Sequence, residues 1–255
     1  MRYLQVNDLL SDALYGTRMW PPPAQDDPFR TQMLQLCTAF PAPIHERIAE
    51  VVKSNAAGKI AISAVRTEEM PGGAALNDTG SQYSAFWAPA ANSLYVPDVT
   101  RYQLSPYRVS SVLTALHEAA HAFENPQWEE VHRYYEYTFS NSESFLSEVS
   151  AQWIEATRPV VEYVENNYAH NVDLRKNLET ARSYLIQPHE LFADGMAQYY
   201  CSISKHPTYA ALHKAAANAN WLGVDIGPDE VRDSTCRARD LVYKWFASYM
   251  KQWED

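Results

Sequence analysis

Apolar residues recur at helical spacing through Val109, Val112, Leu113, Leu116, Ala120 and Phe123. Positions three and four apart share one side of an α-helix, so these residues form a single apolar face. Ser105-Pro106 offers an N-cap followed by a proline suited to the first helical turn. Pro126 biases Asn125 away from helical geometry, so the helix is expected to stop near Glu124. Beside the apolar face runs a more polar stripe of Ser110, Thr114, His117 and His121.

The same reading extends along the chain. Residues 1–26 form a short leading segment that ends just after the stiff run Trp20-Pro21-Pro22-Pro23, and 27–255 is read as one domain. Residues 28–39 and 43–56 predict two helices separated by Pro41 and Pro43. Lys59 to Val65 alternates like a strand, and Pro71-Gly72-Gly73 marks a turn. Tyr83 to Trp87 and Ser93 to Val96 predict two further strands joined by a short turn. Beyond the histidine-bearing helix the pattern is helical over Phe145–Ala156, Val160–Asn167, Leu174–Ile186, Glu190–Ser202, Tyr209–Ala217 and Val231–Gln252. The fold class expected is α+β, mainly helical.

Composition narrows the function classes. Hydrophobic residues make up 46% of the 255-residue chain, enough for a sizeable core and outside the disordered range. A net charge of -10, with no Lys/Arg cluster, argues against nucleic-acid binding, which needs basic patches. The three cysteines, Cys37, Cys201 and Cys236, are far apart and form no C-x-x-C, so neither a cysteine zinc site nor a disulfide framework is expected. No apolar run reaches membrane-spanning length, and the first residues lack a signal-peptide core. A cytoplasmic chain with no membrane partner is the expectation.

The chemistry is concentrated in His117-Glu118-Ala119-Ala120-His121, an H-E-x-x-H sequence. Two histidines four apart on a helix can reach one metal ion, and the glutamate beside the first is placed to act as a base on a water. Two ordinary histidines on a half-buried helix would give the same spacing, but the intervening Glu and an acidic partner downstream favour the metal. A catalytic zinc takes three protein ligands and keeps one position open. Glu190 is the preferred third ligand, because Asp194 lies one turn on and can accept the spare N–H of a ligating histidine. Glu148 is the rival, and Glu143 a weaker version of it. The plainer readings are a solvated face for Glu148 and an acidic helix N-terminus for Glu190 and Asp194. Ala193 and Gly195 are small enough to let the Glu190 helix approach the H-E-x-x-H helix closely.

Together, H-E-x-x-H and the later Glu190-Leu191-Phe192-Ala193-Asp194 resemble the gluzincin zinc metallopeptidases, in which a Glu-x-x-x-Asp helix carries the third ligand. The second stretch also looks like the corresponding run of the anthrax lethal factor catalytic domain. The resemblance covers the two helices and not the whole chain. It implies a zincin-like fold, with a small mostly antiparallel sheet packed on the metal-binding helix. It also implies one zinc per chain, held by His117, His121 and Glu190, and a peptide or protein substrate. An edge strand of such a sheet would hold the substrate extended, and Tyr83 to Trp87 is the candidate. The family uses a tyrosine shortly before the ligand Glu to stabilise the transition state; Tyr184 matches, one residue short of the family offset. Tyr199 and His189 are the other donors considered. The lethal-factor resemblance also admits export as an effector without a cleavable signal.

The expected reaction is peptide-bond hydrolysis with Glu118 as general base. The alternative is a zincin-like domain that binds zinc as an interaction or structural module without protease activity.

Overall fold

The computed structural model describes residues 15–17, 38–54, 60–65, 86–88, 93–97, 116–124, 127–129, 134–204 and 227–253. These residues are mainly helical. The chain divides into two compact units, one of residues 1–135 with 253–255 and one of residues 136–252.

The first unit contains β1 (Tyr15–Thr17), α1 (Ala42–Ser54), β2 (Ile60–Val65), β3 (Phe86–Ala88) and β4 (Ser93–Pro97). The H-E-x-x-H segment follows as α2, described over residues 116–124, then β5 (Gln127–Glu129) and β6 (Tyr134–Glu136), whose last residue begins the second unit. Strands β5 and β6 pair in a small sheet that the sequence pattern did not predict. Four strands form the larger sheet in the order β1-β2-β4-β3. The β3–β4 pair is antiparallel, with Trp87 opposite Leu94, as a hairpin with a short connection requires. The β1–β2 and β2–β4 pairs are parallel. The expectation of a mostly antiparallel sheet is therefore corrected. Both parallel pairs are joined by long crossovers, one containing α1 and one containing β3, and parallel neighbours need such connections. Strand β1 comes from the segment read as a leading extension. Strand β3 includes the end of the segment considered for substrate pairing and stands at the sheet edge.

Helix α1 begins one residue before the predicted 43–56. Its residues Ile44 and Ile48 are buried, as are Ala39 and Phe40 in the preceding turn. In α2 the apolar face is buried at Leu116, Ala120 and Phe123, and Ala119 and Ala122 are buried beside it. Arg47 of α1 donates from Nε to the carbonyl of Phe123 at 3.3 Å and lies over the Phe123 ring at 5.5 Å. A guanidinium there satisfies a carbonyl near the end of α2 and suits the negative end of the helix dipole. The helix has ended by Gln127, where β5 begins. The proposed cap at Ser105-Pro106 and the predicted helix 209–217 lie outside the described residues, as does 28–39 except for its last two positions, which form a turn.

The second unit is helical. A short turn of helix at Glu143–Phe145 leads through a π-helical segment, Leu146–Ser150, into α3 (Ala151–Asn167). Then come α4 (Val172–Leu185), α5 (Pro188–Ile203) and α6 (Asp229–Tyr249), closed by a 3-10 turn, Met250–Trp253. Ser142 caps the first turn by accepting from the Phe145 amide, and Asn171 caps α4 by accepting from the Leu174 amide.

The predicted break between Ala156 and Val160 does not occur. Helix α3 runs unbroken through Pro159. Trp153, Thr157, Val160 and Val164 form one buried stripe that crosses the proline, and α3 packs along α6. Burial of that stripe outweighs the roughly 3 kcal/mol that an interior proline costs. Upstream, Phe145, Val149 and Trp153 continue the stripe at spacings of four. In a regular α-helix each such step drifts by about 40°, and the wider π turn absorbs part of this.

Aromatic packing fixes α5. Phe192 meets Phe145 at 5.4 Å and Phe246 at 5.1 Å, and Tyr199 stacks on Phe246. Aromatic pairs in such edge-to-face and stacked geometries contribute about 0.5–1.5 kcal/mol each beyond area burial. Leu191, Ala193, Met196 and Tyr200 are buried with them. Gly195 is where α6 comes closest: a Cβ there would lie 2.6 Å from Val242 Cγ1 and 2.8 Å from Phe246 Cε2. The small residue thus serves packing against α6, whereas the sequence reading assigned it to the approach of α2.

Two outcomes follow. Gly195→Ala should destabilise the fold by about 1–3 kcal/mol despite its better helix propensity, because overpacking costs more than propensity returns. Urea denaturation checks this, and an unchanged midpoint would contradict the close α5–α6 approach. Burial pushes the Cys201 thiol up to about 12, while Cys236 is exposed. At pH 8, Cys236 should react with a thiol reagent in the native protein and Cys201 only after unfolding.

Candidate metal centre

Helix α2 brings the two histidines of H-E-x-x-H to one side, one turn apart. Their Nε2 atoms are 3.1 Å apart, and the rings meet nearly edge to face at 85°. His117, Glu118 and His121 are all buried, with 4%, 7% and 6% of their surface exposed. Glu124, three residues beyond His121, is completely buried. Burying such groups is costly unless they are hydrogen-bonded, paired with charge or bound to a cation. Two nitrogens bound to one tetrahedral ion at about 2.1 Å each stand roughly 3.4 Å apart. The observed separation is close to that value, so the pair fits a shared ion.

Glu190 lies in the first turn of α5, behind Pro188 at the first helical position. Its amide and that of Leu191 both donate to the Gln187 carbonyl, at 3.1 and 3.0 Å. A carboxylate there complements the helix dipole. Among the described residues, His117, His121 and Glu190 make up a group that could hold a metal ion: each offers one ligand atom, and these atoms lie within 4.8 Å of one another. Two imidazole nitrogens and one carboxylate oxygen suit a borderline divalent cation and leave further positions open.

The other candidates are distributed differently. Glu148, the rival third ligand, stands outside this group, exposed on the π-helical segment, where its Oε1 is 3.4 Å from the Ser144 hydroxyl. Glu143 is exposed as well. Asp194 is partly buried, and Gln198, one turn further along α5, donates to its Oδ2 at 3.4 Å. Tyr184, near the end of α4, is 42% exposed. Tyr199 is buried among Tyr200, Tyr243 and Phe246. His189 stacks on Tyr137, with ring centroids 4.4 Å apart and planes 7° from parallel, and its Nε2 is 3.4 Å from Glu190 Oε1.

Two residues beside these positions were missed by the sequence reading. Arg47 holds the far end of α2, and Tyr137 holds His189. Each acts across a separation that no local spacing rule reaches. Arg47 falls inside the predicted helix 43–56, but nothing there marks it as a contact to α2, and no pattern marks Tyr137.

Comparison with protein-family models, with curated proteins and with solved structures found no match to this chain. No described helix is long and apolar enough to cross a membrane.

Metal content tests the group directly. The protein should hold about one equivalent of divalent metal after reconstitution and dialysis. His117→Ala, His121→Ala and Glu190→Ala should each lower the affinity by at least tenfold, and Glu148→Ala should not. Elemental analysis with a competing chelator provides the readout. Loss in Glu148→Ala alone would move the third ligand.

Proposed function

We propose that this chain is a zinc metallopeptidase of the gluzincin type, built on a zincin-like fold and acting on a peptide or protein substrate. The observation that carries the reading is the buried His117–His121 pair, with Nε2 atoms 3.1 Å apart and a buried Glu118 between them in sequence. Glu190 supports it as the third donor.

When bound, zinc would supply a Lewis acid that brings the pKa of water toward neutrality. The chain's own groups do the rest. His117, His121 and Glu190 hold the ion. The Glu118 carboxylate takes the proton from the attacking water and returns it to the leaving amine. Asp194 orients a ligating imidazole and fixes its tautomer. Tyr184 donates a hydrogen bond to the oxyanion that develops on the scissile carbonyl. Tyr199 is the weaker donor, because it is sunk in aromatic packing. The sheet edge at β3 pairs with the extended substrate.

Glu118→Gln separates catalysis from metal holding. It should keep its zinc and its unfolding transition and lose roughly 10²–10⁴-fold in kcat on a quenched-fluorescent peptide library. Tyr184→Phe should keep zinc and lower kcat with little change in KM. A zinc-loaded wild type that cleaves nothing in the library, at the same rate as Glu118→Gln, would replace this reading with that of a zinc-binding interaction or structural module.

A further inference from the structure

Helices α3 and α4 leave a cavity of about 350 Å³ between them. Val164 and Leu178 are buried at its apolar floor, with the more exposed Val161 and Ile186 beside them. Four charged side chains also line it: Glu165 from α3, and Arg175, Glu179 and Arg182 from α4. An apolar lining interrupted by a few polar groups is the make-up of a small-molecule site, and the volume lies at the lower end of the usual range.

Among the described residues, none of these four charges takes part in an ion pair. A comparison within the same domain gives this weight. Glu155 and Arg158 of α3 are three apart with the acid first, and they close into an ion pair on an exposed surface. Glu179 and Arg182 have the same spacing and the same order but stay open to the cavity. Arg175 is held from one side, where its Nη1 donates to the Ala169 carbonyl at 3.2 Å in the turn between the two helices. Arg182 is half-buried, and among the described residues its guanidinium makes no hydrogen bond.

The balance of charge decides what such a cavity takes. Two guanidinium groups and two carboxylates cancel, so a ligand of one sign meets as much repulsion as attraction. A neutral apolar ligand would strip water from the charges and return nothing to them. A ligand that carries both signs on an apolar body answers every part of the lining. Glu179 and Arg182 are separated along the helix axis by a rise of about 4.5 Å, so the ligand's two charges must stand close together. The ammonium and carboxylate of an α-amino acid do.

We propose that the α3–α4 cavity binds an α-amino acid with an aliphatic side chain. Arg182 takes its carboxylate, Glu179 and Glu165 take its ammonium, and Val161, Val164 and Leu178 receive its side chain. Arg175, tied to Ala169, offsets the second carboxylate of the lining. The proposal is independent of the metal site, because none of these residues belongs to it.

Amide chemical shifts of the full chain, followed during titration with L-leucine, test this. Leucine should bind saturably. L-leucinamide and N-acetyl-L-leucine should each bind about tenfold more weakly, since each leaves one charge of the cavity without its counterpart. Arg182→Gln should weaken leucine to a similar degree and abolish its advantage over leucinamide. Glu179→Gln should shrink the advantage over N-acetyl-leucine instead. Arg158→Gln, outside the cavity, should match wild type. Arg182→Gln should also keep the wild-type unfolding midpoint; if it unfolds early, the preference of Glu179→Gln decides alone. Absence of saturable leucine binding in wild type overturns the proposal. Equal binding of all three compounds overturns it in favour of a plain apolar groove. An undiminished preference for leucine over leucinamide in a folded Arg182→Gln overturns the placement of the ligand.

Discussion

Two imidazole nitrogens held 3.1 Å apart inside a buried helix impose the central constraint on this protein. Neither ring has bulk water to turn to, and two protonated rings at that distance would repel. At this distance one ring can donate to the other, or both can aim their lone pairs at a cation. The surroundings sharpen the choice. Leu116, Ala119, Ala120, Ala122 and Phe123 seal the helix on its other sides, and Arg47 ties down the carbonyl of Phe123. A helix this well fixed cannot rotate to relieve its histidines.

Helix α5 meets a related demand by other means. Its carboxylate lies at the N-terminal turn, where backbone amides favour negative charge. The rest of the helix is locked by Phe192, Met196, Tyr199 and Tyr200 against α6 and the Phe145 turn. Rigid packing behind and a polar residue in front is the arrangement in which side-chain direction is defined by the backbone that carries it.

Much of this could be read from the chain before any coordinates, for a physical reason. Helical periodicity is local, so α1, α4, α5 and α6 were legible to within two or three residues at each end, and H-E-x-x-H placed His117, Glu118 and His121 on α2. Glu190 was legible because Asp194, one turn away, made it more than an isolated acid. Other features depend on partners distant in sequence. Pro159 looked like a boundary because the local cost of proline is visible and the compensating burial against α6 is not. Gly195 was read correctly as a close approach but assigned to the wrong neighbour, since nothing in its surroundings names Val242 or Phe246. The parallel pairing of β2 with β4 is a property of the crossover and not of either strand. Tyr137 and Arg47 carried no pattern at all.

The π-helical segment Leu146–Ser150 has a consequence of its own. A turn that closes one residue late is what a single inserted residue leaves in a helix whose two ends are already anchored. Here the anchors are Phe145, against Phe192 and Trp245, and Trp153, completely buried on α3. The extra residue is accommodated as a bulge whose exposed positions, Leu146, Ser147 and Glu148, lie on the outer side. Removing one of them would close the bulge into an ordinary α turn while Phe145 and Trp153 keep their places. The bulge is therefore a length tolerance: chain length can change by one residue here without moving the two aromatic anchors on either side.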